Sequence, residues 1–214
     1  MEPVSMGIKS TQQSTDPLPF ARSYQLEALD AAIKCNTIVF LETGSGKTLI
    51  AIMLLRSYSH MLRKPSPFIS IFLVPQVPMV KQQADAVKMH TDLSVGVYWG
   101  DIGVDFWDAD MWKQEIEKYE VLVMTPTILL NNLRHSFFKL SMIKVLIMDE
   151  CQHARGNHPY ACIMKVKMDV YEKRSEEMII LKYMEEDKGI TLVPNDAGSV
   201  NTIDETPSRA SKVI

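Results

Sequence analysis

The chain has 214 residues and a net charge of −3, with hydrophobic residues at 46% and charged residues at 23%, the balance of a folded globular chain long enough for one α/β domain with loose ends. With a sequence pI of about 6.0 it lacks the basic footprint that coats nucleic acid electrostatically, although a site built from backbone amides and a few local cations stays open. The longest apolar run, residues 49–55, is too short to span a bilayer, and no apolar signal core opens the chain, so a nuclear or cytoplasmic protein without a membrane partner is expected.

Residues 1–18 are rich in Ser, Thr, Gln and Pro without periodicity and read as a disordered lead-in. Residues 20–34 follow as a helix, with Ser23 able to cap it and Leu26, Leu29, Ala32 and Ile33 at helical spacing. Arg22 and Gln25 stand at its start, close in sequence to the next strand. A glutamine amide can pair with the N6 and N7 edge of adenine, and a guanidinium plane can stack on the ring. Taken alone, a glutamine there is ordinarily a surface residue.

The stretch NTIVFLETGSGKTLIAIML, residues 36–54, carries the strongest chemical signal. Residues 37–41 are a short apolar, β-branched run, hence a buried strand; 42–46 form a glycine-punctuated loop; residues from Lys47 to about Arg56 form a helix that is apolar all round. Strand, glycine loop and helix are the context a phosphate-binding loop needs. Gly44 and Gly46 let the backbone turn its N–H groups inward, and the helix N-terminus adds its positive dipole end. Lys47 is placed to reach the β- and γ-phosphates, and Thr48 to put its hydroxyl on Mg²⁺. The full pattern opens with a glycine where this chain has Leu41. The competing interpretation is a tight glycine turn with a solvated lysine.

Strands are expected over 67–74, 93–99, 120–124 and 142–148, and helices over 79–90, 108–119 and 128–137, with Pro126 suited to the first turn of the last. The alternation implies a doubly wound, mostly parallel α/β sheet with helices on both faces. Ligands of such sheets bind at the carboxyl ends of the strands, and the polar or unusual residues cluster there: 42–48, 75–78, Gly100 and Asp101, 125–127 and 149–153. Asp149 and Glu150 directly follow the strand MIKVLIM. One carboxylate at that place can hold Mg²⁺ opposite the phosphate loop and its neighbour can orient or deprotonate the attacking water; alone, two acids at a strand end are as readily a solvated turn. Cys35, Cys151 and Cys162 have no metal-ligand spacing and read as reduced thiols, Cys151 as packed rather than nucleophilic.

Arg22 and Gln25, then TGSGKT, VPQVPMVKQQ, MTPTILL and MDECQHA resemble, in that order, the first RecA-like domain of superfamily 2 DExD/H-box helicases. The resemblance covers about residues 20–165. Within that superfamily the wording LETGSGKTLIA and DECQHARGNHPYACIM looks most like the N-terminal helicase of plant Dicer-like endoribonucleases of the second class. The resemblance implies that Arg22 and Gln25 recognise adenine and that Thr43, Gly44, Ser45, Gly46, Lys47 and Thr48 bind the phosphates of ATP. Asp149 joins Thr48 in holding Mg²⁺, and Glu150 activates water. Gln76, Val77, Gly100, Thr125 and Pro126 match family segments that touch an RNA backbone, double-stranded in this subclass, and dsRNA-binding protein partners follow by the same analogy. Gln152 stands where the usual box has His; it can hydrogen-bond but cannot become a cation, which puts the coupling of ATP to RNA in doubt.

The resemblance implies three parts: a lead-in over 1–18, a helicase ATP-binding domain over 19–165 and a divergent tail over 166–214. No Ser/Thr-Ala-Ser/Thr motif follows residue 164, as it does in the family. Residues 165–188 read as a charged, partly helical segment with Tyr171, Met178, Ile179 and Leu181 as its apolar positions, and 191–214 as polar and disordered. A sheet short of its last strand exposes an edge. The second RecA-like lobe and any RNase III segment are missing from this sequence, so it looks like a truncated or alternatively spliced product. The expected function is an ATP-binding helicase lobe that contacts RNA and hydrolyses ATP once a second lobe is supplied. The alternative is a non-catalytic interaction fragment whose tail engages partners or RNA of the full-length protein.

Overall fold

A computed structural model describes residues 20–100, 103–104, 107–171, 178–184, 190–194 and 201–203. The lead-in over 1–18, Asp101 and most of 195–214 lie outside these residues.

The elements in order are α1 (Ser23–Lys34), β1 (Thr37–Phe40), α2 (Lys47–Ser57), α3 (Ser59–Leu62), β2 (Ile69–Leu73), α4 (Val77–His90), β3 (Val95–Tyr98), α5 (Ala109–Lys118), β4 (Val121–Met124), α6 (Pro126–Arg134), β5 (Ile143–Met148), α7 (Pro159–Tyr171), β6 (Ile179–Met184), β7 (Ile190–Pro194) and β8 (Asn201–Ile203). The strands join in one sheet in the order β3-β4-β2-β5-β6-β1-β7-β8. β1 to β6 are mutually parallel, and β7 and β8 add antiparallel at one side. This is the doubly wound, mostly parallel α/β sheet expected from the alternating pattern, and the RecA-like sheet that the resemblance implies.

Because the central strands are buried on both faces, they read as unbroken apolar runs; all five residues of β2 and all four of β4 are buried. Alternate residues then face two separate cores. Val39, Phe72, Val123, Ile147 and Leu181 pack under α1, α2 and α4, through Ala28 and Ala32, Ile50 to Leu55, and Val80, Ala84 and Val87. Ile71, Leu122, Leu146, Met148 and Ile180 pack under α5, α6 and α7, through Trp112 and Ile116, Ile128 to Leu130, and Tyr160 and Ile163. α2 is buried over six consecutive residues because it crosses the middle of the sheet and is itself covered by α1 and α4. Each fully buried Leu or Ile contributes about 1.5–3 kcal/mol relative to exposure.

The expectation for 165–188 is corrected. The helix ends at Tyr171, and Ile179–Met184 is a strand, not helix. It lies between β5 and β1, with Leu181 opposite both Ile147 and Thr37. The expected open edge therefore does not exist at this place. Asn36 Oδ1 fixes the register by accepting the Ile180 N–H at 2.8 Å. The strand is present, but Leu181-Lys182-Tyr183 stand in it without the small hydroxyl residues of the family motif. Within the segment expected to be disordered, residues 191–194 and 201–203 lie in strands β7 and β8.

Candidate functional site

Parallel strands bring their carboxyl ends to one rim, and the loops after β1 to β5 all open there. From one side of the sheet to the other, the rim carries Gly100 after β3, Thr125 and Pro126 after β4, Gln76 and Val77 after β2, and Asp149 and Glu150 after β5. β6 follows, and then the loop 41–46 after β1. At about 4.8 Å between neighbouring strands, the acidic pair and the glycine loop are separated by roughly 10 Å, room for a phosphate chain and one ion.

The loop is shaped by its two glycines. Gly44 has φ 83° and Gly46 φ 84°, the left-handed region that other residues enter only at a cost. Gly46 is also the N-cap of α2. A Cβ on Gly46 would lie 2.4 Å from Gln25 Nε2, whereas one on Gly44 would meet no atom of the described residues within 4 Å. The loop is thus backed by α1 on one side and open on the other. Lys47 Nζ donates to the Leu41 carbonyl at 3.4 Å, which keeps the ammonium over the loop. Leu41 itself is 1% exposed: where the full motif has glycine, this chain has an apolar anchor whose carbonyl holds the lysine.

α1 holds the loop from behind. Gln25 is buried; its Nε2 donates to the Ser45 carbonyl at 3.1 Å and its Oε1 accepts the Arg22 N–H at 2.9 Å. Both ends of the Gln25 amide are therefore engaged within the protein, and pairing with a base edge requires exchanging at least one of these bonds. Tyr24 was not singled out from the sequence. Its hydroxyl donates to the Ser45 carbonyl at 2.6 Å and accepts from Arg22 Nη1 at 3.2 Å. The Arg22 guanidinium lies 6.0 Å from the Tyr24 ring centre and is exposed. Thr43 is exposed at the tip of the loop, and the Ser45 hydroxyl donates to the Glu42 carbonyl at 2.6 Å, closing the turn. The Thr48 hydroxyl donates to Gln83 Oε1 on α4 at 2.9 Å.

At the end of β5, Asp149 is 5% exposed and its N–H donates to the Leu73 carbonyl at 3.0 Å. Its Oδ1 accepts the Glu150 N–H at 3.0 Å. Glu150 has φ 49° and ψ 43°, a left-handed conformation uncommon for a glutamate; strain of this kind persists only where the surroundings impose it. Tyr160 of α7 holds the peptide that precedes Glu150. Its buried hydroxyl lies 2.7 Å from the Asp149 carbonyl and 3.2 Å from that of Leu73, tying the ends of β5 and β2 together. Burial raises the Tyr160 phenol well above its usual range, so it remains a donor. Cys151 is buried and its thiol is pushed up to about 11 by desolvation, which keeps it protonated and unreactive as expected. Gln152 Oε1 is buried without a hydrogen-bond partner among the described residues.

Lys182 on β6 is the cation that sequence reasoning missed. It stands level with Met148 and Ile38, and its ammonium is pushed down mainly by burial, with Cys151 acting the other way. Among the described residues no cluster of three or more His, Cys, Asp or Glu could hold a metal. A hydroxyl and a carboxylate across a phosphate loop are nonetheless the hard oxygen donors that suit Mg²⁺, an ion ordinarily completed by phosphates and water. The open, glycine-lined loop with a lysine over it fits a phosphate chain. No helix of the described residues is long and apolar enough to cross a membrane.

A family model described as DEAD/DEAH box helicase matches residues 22–181. The chain belongs to the DEAD/DEAH box helicase family. The chain is 71% identical over 166 residues to Endoribonuclease Dicer homolog 2 of Arabidopsis thaliana, covering 77% of this chain and 12% of that protein. To Endoribonuclease Dicer homolog 2b of Oryza sativa subsp. japonica it is 62% identical over 151 residues, covering 70% of this chain and 11% of the relative. It therefore spans about an eighth of the length of these relatives. Its fold is similar to the crystal structure of the Pyrococcus furiosus Hef helicase domain, with a TM-score of 0.60 at 24% identity over 77% of this chain and 32% of that one. The resemblance drawn from the motifs, to superfamily 2 helicases and to plant Dicer-like proteins within them, is borne out.

Proposed function

We propose that this chain is the ATP-binding lobe of a Dicer-like helicase, which binds MgATP at the loop 43–48 and contacts double-stranded RNA along the rest of the rim. The observation that carries this is the order along the sheet: the phosphate-type loop on β1 and the acidic pair on β5 flank one strand, while the three other polar loops lie on the strands beyond. In this reading nucleotide and nucleic acid take adjacent, separate places along one edge of the sheet.

In this reading the N–H groups of Gly44 to Thr48 and the Lys47 ammonium hold the phosphates. Thr48 and Asp149 hold Mg²⁺, which when bound neutralises the phosphate charge. Glu150 orients the attacking water and takes its proton. Arg22 stacks on the adenine, and Gln25 reads its edge after releasing a bond to the loop. Backbone amides at Gln76, Val77 and Gly100 and the Thr125 hydroxyl touch the RNA backbone, with Pro126 beside them, a mode of contact compatible with a net charge of −3. Supplying an arginine across the cleft from a second lobe typically accelerates phosphoryl transfer by about 10³–10⁵-fold, so the lobe by itself binds ATP with little turnover. That residues 179–184 are built into the sheet favours this reading over a free interaction tail.

The test is ATP binding and hydrolysis by the purified chain, with and without double-stranded RNA, against Lys47→Ala. Binding that Lys47→Ala abolishes, with turnover near background, is the expected result. RNA-stimulated turnover by the chain alone would refute the need for a second lobe, and nucleotide binding indifferent to Lys47→Ala would refute the site.

A further inference from the structure

The hydrogen bond from Thr48 to Gln83 joins two parts of the molecule that the functional reading above treats separately. Gln83 is 6% exposed and lies on α4, 35 residues from Thr48 in sequence. The same helix begins at Val77 with Gln76 as its N-cap, the segment on the rim beside the acidic pair. Six residues separate Val77 from Gln83, about 9 Å along a helix axis.

A hydroxyl has one proton and two lone pairs. To offer a lone pair to a cation it must send its proton to an acceptor, and with no acceptor it rotates freely among its staggered positions. Gln83 Oε1 is that acceptor, at 2.9 Å. Asp149 Oδ1, the other acceptor expected at the ion, already takes the Glu150 N–H. We infer that Gln83 is a positioning residue: it fixes the Thr48 hydroxyl with a lone pair aimed at the Mg²⁺ position, and through α4 it couples that hydroxyl to the nucleic-acid edge at Gln76 and Val77. The inference rests on the nucleotide-binding reading above. It names a residue that touches neither nucleotide nor RNA and acts only through Thr48.

The experiment uses the full chain and measures Mn²⁺ affinity in the presence of ADP by electron paramagnetic resonance, alongside ATP affinity in excess chelator. Gln83→Met keeps the length of the side chain and removes the acceptor; Gln83→Glu keeps an acceptor. Loss of a group that orients a metal ligand typically lowers metal affinity 10- to 100-fold. Gln83→Met is expected to weaken Mn²⁺ binding about tenfold at the lower end of that range, with metal-free ATP affinity unchanged, and Gln83→Glu to restore Mn²⁺ affinity. In a Thr48→Val background Gln83→Met has no further effect, as a shared pathway requires. Double-stranded RNA shifts Mn²⁺ affinity in the unsubstituted chain and not in Gln83→Met. An unchanged Mn²⁺ affinity in folded Gln83→Met overturns the inference alone. A tenfold loss in Gln83→Glu, which retains the acceptor, overturns it as well and serves where Gln83→Met fails to fold. Absence of nucleotide binding by the unsubstituted chain overturns this inference together with the reading beneath it.

Discussion

Glu120 sits at the end of the sheet remote from the candidate site, immediately before β4, and Glu120→Ala separates stability from function. Its carboxylate is 5% exposed. Oε2 accepts the Ser94 N–H at 2.7 Å and the Ser94 hydroxyl at 3.2 Å, Oε1 accepts the Lys64 N–H at 3.3 Å, and Arg63 Nη1 lies 3.6 Å from Oε2. The one carboxylate therefore ties the turn before β2, the start of β3 and the start of β4 together. Hydrogen bonds to a charged group contribute about 1.5–3 kcal/mol each, and here only the 2.7 Å bond is short and buried enough to count in full. With the two backbone donors left without an acceptor, at about 1–3 kcal/mol each, the loss is about 3–5 kcal/mol. At about 2–4 °C per kcal/mol for a chain of this size, Glu120→Ala lowers the melting temperature by roughly 6–20 °C. Glu120→Gln, which keeps one acceptor oxygen, loses about half as much. The assay is thermal unfolding followed by circular dichroism, paired with ATP binding well below the transition. A loss under about 1 kcal/mol would show that water replaces the carboxylate at no cost, and weakened ATP binding by the folded variant would refute the independence of the two ends of the sheet.

Gly46→Ala forces φ 84° on a residue with a Cβ and brings that Cβ to 2.4 Å from Gln25 Nε2, so it lowers stability by about 1–2 kcal/mol and weakens ATP binding; unchanged calorimetric binding would refute the described loop. Tyr160→Phe leaves the Asp149 and Leu73 carbonyls without their hydroxyl donor, at a cost of about 1–2 kcal/mol in urea unfolding, and loosens Mg²⁺-dependent ATP binding while leaving metal-free binding intact. Lys182 has a folded-state pKa depressed by burial, so the unfolded chain holds more protons between the depressed value and the ordinary one near 10.5, and stability rises with pH through that window. Lys182→Met removes that dependence: its melting temperature exceeds that of the unsubstituted chain by a few degrees at pH 7, and the difference shrinks as the pH approaches 10.5. A difference that grows with pH would contradict the direction of the shift.

Strands β1 to β5 and the glycine loop were legible because their signals are local. A continuous β-branched run means a strand buried on both faces, and Gly44 and Gly46 at fixed offsets before Lys47 mean a turn opening a helix. Gln83, Tyr24 and Tyr160 were not legible because each acts through one long-range hydrogen bond, across 35, 21 and 87 residues, and no periodicity marks a residue that is polar, buried and bonded so far away. β6 was misread for a different reason. Met178 to Leu181 are apolar enough for a central strand, but the charged residues before them and Lys182 within the run imitate the mixed pattern of an exposed helix. The lysine sits in the strand at a cost, its ammonium pushed down by burial and only partly sustained by Cys151.

The position of β6 also dictates the order in which the molecule can be assembled. The strand synthesised after every other parallel strand occupies a central place, and its Ile180 bonds to Asn36 across 144 residues. At typical translation rates of about 5–20 residues per second, β1 emerges roughly 7–29 seconds before β6 exists. Throughout that interval the β1 edge that β6 will cover has no partner, and once β5 has formed it presents a second unsatisfied row of backbone donors and acceptors. Arrival of residues 179–184 then joins β1 to the β3-β4-β2-β5 part of the sheet, and β7 and β8 add beyond β1 afterwards.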